Sequence, residues 1–108
     1  TDSRSDTSKV AWYVRLNVSG DLFDIGHVDA AGAFLTHVRI LGASGWLGLG
    51  VTPTAPLDVN GNTIRIRTAK TPASASATGN QGDLCWDSSY FYICTATNTW
   101  RRIAHSTW

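Results

Sequence analysis

The stretch Asp83-Leu84-Cys85-Trp86-Asp87-Ser88-Ser89-Tyr90-Phe91-Tyr92-Ile93-Cys94 decides the fold. Two runs rich in aromatic and apolar residues flank a polar Asp-Ser-Ser centre, which is the pattern of a β-hairpin. A tight loop centred between Ser89 and Tyr90 sets Cys85 opposite Cys94, Trp86 opposite Ile93 and Ser88 opposite Phe91. Directly opposite residues share a face of the sheet. Leu84, Trp86, Phe91 and Ile93 are therefore expected to form the core face, with Cys85, Tyr92 and Cys94 on the other. That register allows a Cys85–Cys94 disulfide if the Cα atoms come within about 4.4–6.8 Å of each other. Two reduced, buried thiols acting as small hydrophobes fit the same residues. There is no Cys-x-x-Cys, and neither cysteine has a histidine at zinc-ligand spacing, so no metal and no cofactor is expected.

Upstream of the hairpin, Thr71 to Gln81 carries no large apolar residue and reads as a loop or linker. Downstream, Thr95-Ala96-Thr97-Asn98 turns the chain into a last strand, Thr99 to Ala104. Residues 68–108 thus form a small terminal β unit. Residues 9–67 form a larger one. There Val10, Trp12, Val14, Leu16 and Val18 alternate with Ala11, Tyr13, Arg15, Asn17 and Ser19, as in a half-buried strand. Strands are expected at Leu22–Val28, Ala33–Leu41, Trp46–Val51 and Leu57–Val59. Glycine- and Asp-bearing turns separate them, as does the Pro53/Pro56 stretch, which is held extended. Asn60-Gly61 is a strong hairpin turn signal, with Thr63–Arg67 as its returning strand. Residues 1–8 read as a polar, disordered lead-in.

The composition agrees. All eight acids are Asp, Gln occurs once (Gln81), and Thr, Ser and Gly abound, so the chain is built from strand and turn formers. Nine basic residues against eight acidic ones give a net charge of +1, which excludes the basic excess of a nucleic-acid binder. No apolar run approaches the roughly 20 residues of a membrane span, and residues 1–8 lack the apolar centre of a secretion signal. A unit of about 40 residues rarely holds a core by itself. The glycine-spaced strands of Trp46–Gly61 suit close approach of backbones around a shared axis. The fold class expected is all-β: short antiparallel strands in an intertwined homotrimer, followed by a three-stranded terminal knob.

Gly45-Trp46-Leu47-Gly48-Leu49-Gly50-Val51-Thr52-Pro53-Thr54-Ala55-Pro56-Leu57-Asp58-Val59-Asn60-Gly61 resembles the glycine-spaced segment ending in Leu-Asp-Val-Asn-Gly of phage tail fibres and tailspikes. The stretch Thr71–Trp108, with its Gly82-Asp83-Leu84-Cys85-Trp86-Asp87, Tyr90–Cys94 and Asn98–Ala104 runs, resembles a terminal module of phage structural proteins. The resemblance implies a homotrimeric fibre tip on the virion, made in the host cytoplasm, that adheres to a host surface, commonly a polysaccharide. No long helical segment follows residue 61, so the autocleaving chaperone domain of some fibres is not expected here.

For attachment to sugars, aromatic faces and flanking polar groups are the candidates: Tyr90, Tyr92, Trp100 and Trp108, with Arg101 and Arg102 for acidic sugars. Each also has a plain structural reading, as packing for the rings and as solvated strand charges for the arginines. Trp86 reads as core. His27, His37 and His105 form no His-x-His pair, and ordinary packing or exposure is expected of them, although copies of a histidine around a threefold axis can ligate a metal. Asp24, Asp29, Asp58, Asp83 and Asp87 read as turn residues rather than a glycosidase pair, which needs two carboxylates facing one cleft. This piece is therefore expected not to be an enzyme, with any depolymerase of the parent protein lying upstream. The other reading is a clamp that trimerises the chain and sets its register without a receptor site of its own.

Overall fold

A computed structural model describes residues 11–108. The expected lead-in 1–8 and Val10 lie outside the described residues. Eight strands and no helix are described: β1 Ala11–Asn17, β2 Leu22–Val28, β3 Phe34–Leu41, β4 Leu47–Leu49, β5 Leu57–Val59, β6 Leu84–Trp86, β7 Tyr90–Ala96 and β8 Thr99–Ala104. The chain is all-β, as its composition requires. It divides into two compact units, Thr1–Thr63 and Ile64–Trp108.

The first unit holds one five-stranded sheet in the order β1-β2-β3-β4-β5. The first four strands pair antiparallel, and β5 joins β4 in parallel. Each turn uses the residue its geometry demands. Asp21 (φ 51°) turns β1 into β2, where the Asn17 side chain accepts from the Gly20 N–H at 2.9 Å. Between β2 and β3, Asp29 Oδ1 accepts from the Ala31 and Ala33 N–H groups, both at 2.9 Å, while Gly32 supplies φ 85°. A bulge between Ile25 and Gly26 sets Val38 opposite Ile25 but Thr36 opposite Gly26, leaving His37 as the extra residue.

The expected hairpin at Asn60-Gly61 does not form. Thr63–Arg67 is not a strand, and Leu57–Val59 instead lies parallel to β4. The glycine spacing explains this connection. A side chain at Gly48 would run into the Val51 carbonyl and sit 2.8 Å from the Pro53 ring, so only glycine lets the Thr52–Pro56 stretch fold back over β4.

The two faces of this sheet differ. Register places Tyr13, Arg15 and Asn17 on one face with Asp24, Thr36 and Arg39. These side chains pair with one another, although Arg15 Nε is buried without a partner. Asp24 is fully buried and takes Arg39 Nε at 2.8 Å, Arg39 Nη2 at 2.8 Å and Arg15 Nη2 at 2.7 Å. Arg15 lies over the Tyr13 and Phe34 rings, and the Tyr13 hydroxyl and Thr36 Oγ1 bond at 2.8 Å. The alternating apolar stripe of β1 takes the opposite face, and it is the exposed one: Trp12 is 71% and Leu16 73% accessible. Alternation in the sequence fixes which residues share a face, but not which face the chain covers.

The second unit holds a three-stranded antiparallel sheet, β6-β7-β8, the architecture expected of the knob. Its register is shifted by two residues from the expected one. Leu84 faces Ile93, Cys85 faces Tyr92 and Trp86 faces Phe91. A shift of two keeps every side chain on its expected face, but the core lies on the other side. Cys85, Tyr92, Cys94 and Trp100 are buried, whereas Leu84, Phe91, Ile93 and Ile103 are exposed. The reason is the stretch set down as a linker. Residues 71–81 cover the cysteine face, and their backbone bonds to it: Trp100 N–H to Ala75 O (2.8 Å), Asn98 N–H to Gly79 O (2.9 Å) and Trp100 Nε1 to Ala77 O (3.1 Å). Small residues are what this cover needs. A Cβ on Gly79 would sit 2.6 Å from the Trp100 ring.

Candidate host-surface site

The exposed end of the second unit is organised by Asp87, at the β6–β7 turn. Its Oδ1 accepts the Ser89 N–H (2.8 Å) and the Tyr90 N–H (2.9 Å), which closes the turn. Its Oδ2 accepts the Thr71 hydroxyl and the Tyr92 hydroxyl, both at 2.6 Å. These four donors, the Thr71 and Tyr92 hydroxyls foremost, hold the Asp87 carboxyl well below the usual carboxylate range. The same contact, with burial adding to it, pushes the Tyr92 phenol up. His105, the residue after β8, braces the turn, its backbone N–H bonding Ser89 O at 2.9 Å and its Nε2 bonding Asp87 O at 3.2 Å.

This frame fixes Tyr90 at the tip. Arg102 reaches across from β8 and stacks its guanidinium 4.0 Å from the Tyr90 ring centroid, and the Tyr92 ring stands 5.8 Å from that of Tyr90. Of the residues singled out for sugar contact, Tyr90 and Arg102 are brought together, with Arg102 exposed and Tyr90 half-buried. Tyr92 and Trp100 are buried and spend their polar atoms on Asp87 and Ala77, so they are core residues. Arg101 lies on the opposite face, opposite Ile93. Trp108 is fully exposed and beyond the last strand. Trp86, expected in the core, is half-buried, and its indole N–H bonds Ile66 O at 2.8 Å.

The direct Cys85–Cys94 pairing is replaced by Cys85–Tyr92 and Cys94–Trp100. Both cysteines are free and buried, and the Cys94 thiol bonds Ala96 O at 3.0 Å. Burial pushes the Cys85 thiol up, away from the reactive thiolate. Two free thiols per chain should therefore react with an aromatic disulfide reagent in urea and almost none in native buffer. Two absent thiols in urea would instead mean a disulfide.

Sequence reasoning missed the pairing of His27 with His37. In the structure His27 Nδ1 lies 2.6 Å from His37 Nε2, the rings stack at 4.8 Å, and Trp12 packs on both. The register sets His27 opposite Leu35, and His37, the extra residue of the bulge, is its diagonal neighbour two positions on. Among the described residues, no group of three or more His, Cys or Asp side chains is placed to hold a metal ion. The carboxylates are engaged locally. Asp29, Asp58, Asp83 and Asp87 serve turns, but Asp24, expected to do the same, is an ion-pair partner instead.

The architecture is thus an all-β chain of two small sheets with an aromatic–arginine pair at a turn. The chain is similar to "Depolymerase 1, capsule K30/K69-specific" of Klebsiella phage K5-2, 47% identical over 58 residues, which are 54% of this chain and 7% of that protein. It is also similar to "Depolymerase, capsule K30/K69-specific" of Klebsiella phage K64-1, 41% identical over 59 residues, 55% of this chain and 7% of that one. These phage capsule depolymerases agree with the resemblance to a tail-fibre or tailspike C-terminal region. The chain spans only 7% of the length of the curated relatives it matches. No family model matches it, and no solved structure does. No helix among the described residues is long and apolar enough to cross a membrane.

Proposed function

We propose that this chain is the C-terminal region of a virion tail fibre or tailspike, that it works as a homotrimer, and that it attaches the particle to a host capsular polysaccharide. The observation that carries the reading is the Tyr90–Arg102 pair, held at a rigid turn by Asp87. An aromatic ring suits the C–H face of a sugar, and a guanidinium suits the carboxylate of an acidic one, where it can form paired hydrogen bonds. Capsule-specific relatives make a capsular polysaccharide the ligand class, and the Arg102 guanidinium favours an acidic one. Depolymerisation is not assigned to this piece, since Asp24, Asp29, Asp58, Asp83 and Asp87 are each committed to ion pairs or turns.

The test is titration of the purified chain with a K30- or K69-type capsular polysaccharide. Saturable binding is expected, weakened at least tenfold in Tyr90→Ala and in Arg102→Ala, with the oligomeric mass unchanged. No binding by an intact trimer would leave the clamp as the function. That second reading has an observation of its own, because Tyr92 and Trp100, two of the four candidate rings, are spent on the core. Release of reducing ends from the polysaccharide by this piece alone would overturn the non-enzymatic assignment.

A further inference from the structure

We infer that copies of this chain meet through the apolar face of the β1–β5 sheet. The argument starts from the contrast between its two faces. On one, Arg15, Asp24 and Arg39 pair their charges through three hydrogen bonds, with Arg15 Nε left without a partner. On the other, Trp12, Val14, Leu16, Leu35, Leu49 and Leu57 are between 39% and 73% exposed. The register joins them into one surface. Trp12 faces His27, and His27 faces Leu35; Val14 faces Ile25, Ile25 faces Val38, and Val38 faces Leu49.

A sheet with one apolar face needs a second layer, and the described residues of its own unit leave this one accessible. Apolar patches beyond about 300–600 Å² mark interaction sites. Six such side chains on one face reach that size and approach the roughly 800 Å² per partner of a stable complex. Among the described residues this face carries no Asp, Lys or Arg, so it offers no charge complementarity to an acidic or basic partner. It is instead compatible with itself, the condition for symmetric association of identical chains. The two imidazoles at its end already bond each other and pack on Trp12, which lowers the cost of covering them. The number of copies rests on the homotrimer of the functional reading; the choice of face rests on the sheet alone.

Light scattering on the wild type and on Val14→Asp tests both separately. The expected result is a mass of three chains for the wild type and of one chain for Val14→Asp, while Tyr90→Ala keeps three. A wild-type mass of one chain overturns the trimer and this interface together. A trimer that survives Val14→Asp overturns the interface and leaves the trimer standing. Should Val14→Asp fail to fold, Val14→Cys decides, since its thiol is small and the two native cysteines are buried. Protection of that thiol from a methanethiosulfonate reagent at trimer mass is the expected result. Labelling within seconds at trimer mass overturns the interface.

Discussion

Trp100→Ala is expected to unfold the Ile64–Trp108 unit. Its core consists of Cys85, Tyr92, Cys94 and Trp100, with Ala77 and Tyr90 packed against them. Truncating a buried tryptophan costs about 3–5 kcal/mol through lost transfer energy and the cavity left behind. A unit this small is held by no more than about 3–5 kcal/mol in all, so one substitution removes a sum comparable to the whole. It would also cost the Ala75–Gly79 cover its side-chain anchor, the Trp100 Nε1 bond to Ala77 O, while the backbone bond from the residue-100 N–H to Ala75 O stays. The check is thermal unfolding by near-ultraviolet circular dichroism, together with thiol reactivity in native buffer. Loss of the cooperative transition and rapid reaction of Cys85 and Cys94 are expected.

Gly79→Ala approaches the same core from outside. Its methyl would sit 2.6–2.8 Å from Trp100 ring atoms, and a packed indole cannot move aside as a flexible chain end would. Overpacking of this kind costs about 1–3 kcal/mol. A Trp100→Ala protein that melted like the wild type would show that the unit is held by the opposite face, through Leu84, Phe91, Ile93 and Ile103.

That alternative is the one the sequence favours, and the contrast shows what was legible. Most strand positions could be read from alternation and turn residues: Leu22–Val28, Leu57–Val59 and Thr99–Ala104 match residue for residue, the other strands lie within a residue or two, and Thr63–Arg67 is the expected strand that does not form. Face membership could be read too, because the period of two survives a register shift of two. The covered face could not. In the second unit it depends on residues 71–81, whose Ala, Ser and Gly content looks like a linker and in fact supplies a thin lid over Trp100. In the first unit Asp24 reads as a turn residue and instead pairs with Arg15 and Arg39 on one face, while the apolar stripe of β1 on the other face stays open. The candidate site was legible as residue types near a turn. Which of them are anchors and which are free was decided by Asp87, since its bond to Tyr92 draws that ring into the core and its turn leaves Tyr90 at the tip.

Asp24→Asn is expected to destabilise the first unit by about 2–3 kcal/mol, less than the roughly 3–5 kcal/mol for breaking a fully buried ion pair, because water still reaches Arg15 and screens it. The substitution keeps the shape of the carboxylate but leaves two guanidiniums facing each other without a counter-charge. The acid limb of the stability curve follows from the same contacts. Hydrogen bonds from Arg39, and then Arg15, outweigh burial and hold the Asp24 carboxyl below its ordinary value of 3.8. A folded value below the unfolded one gives stability that is fully present above the unfolded value and is lost as the pH falls through the folded one. Melting temperature should therefore be flat from neutral pH to about pH 4 as far as Asp24 is concerned, then drop. In Asp24→Asn the first unit should start lower and lose that part of the drop. The second unit keeps its own acid limb from Asp87, whose carboxyl is lowered by Thr71 and Tyr92.

A triple replacement, Arg15→Met with Asp24→Leu and Arg39→Met, separates stability from face choice. Apolar residues of similar volume often replace a buried ion triad with little loss, so the sheet should still form. Both of its faces would then be apolar, and the mass distribution should broaden from one species to several. A single species of unchanged mass would mean that the triad contributes stability alone and that the opposite face needs no polar counterpart to be chosen.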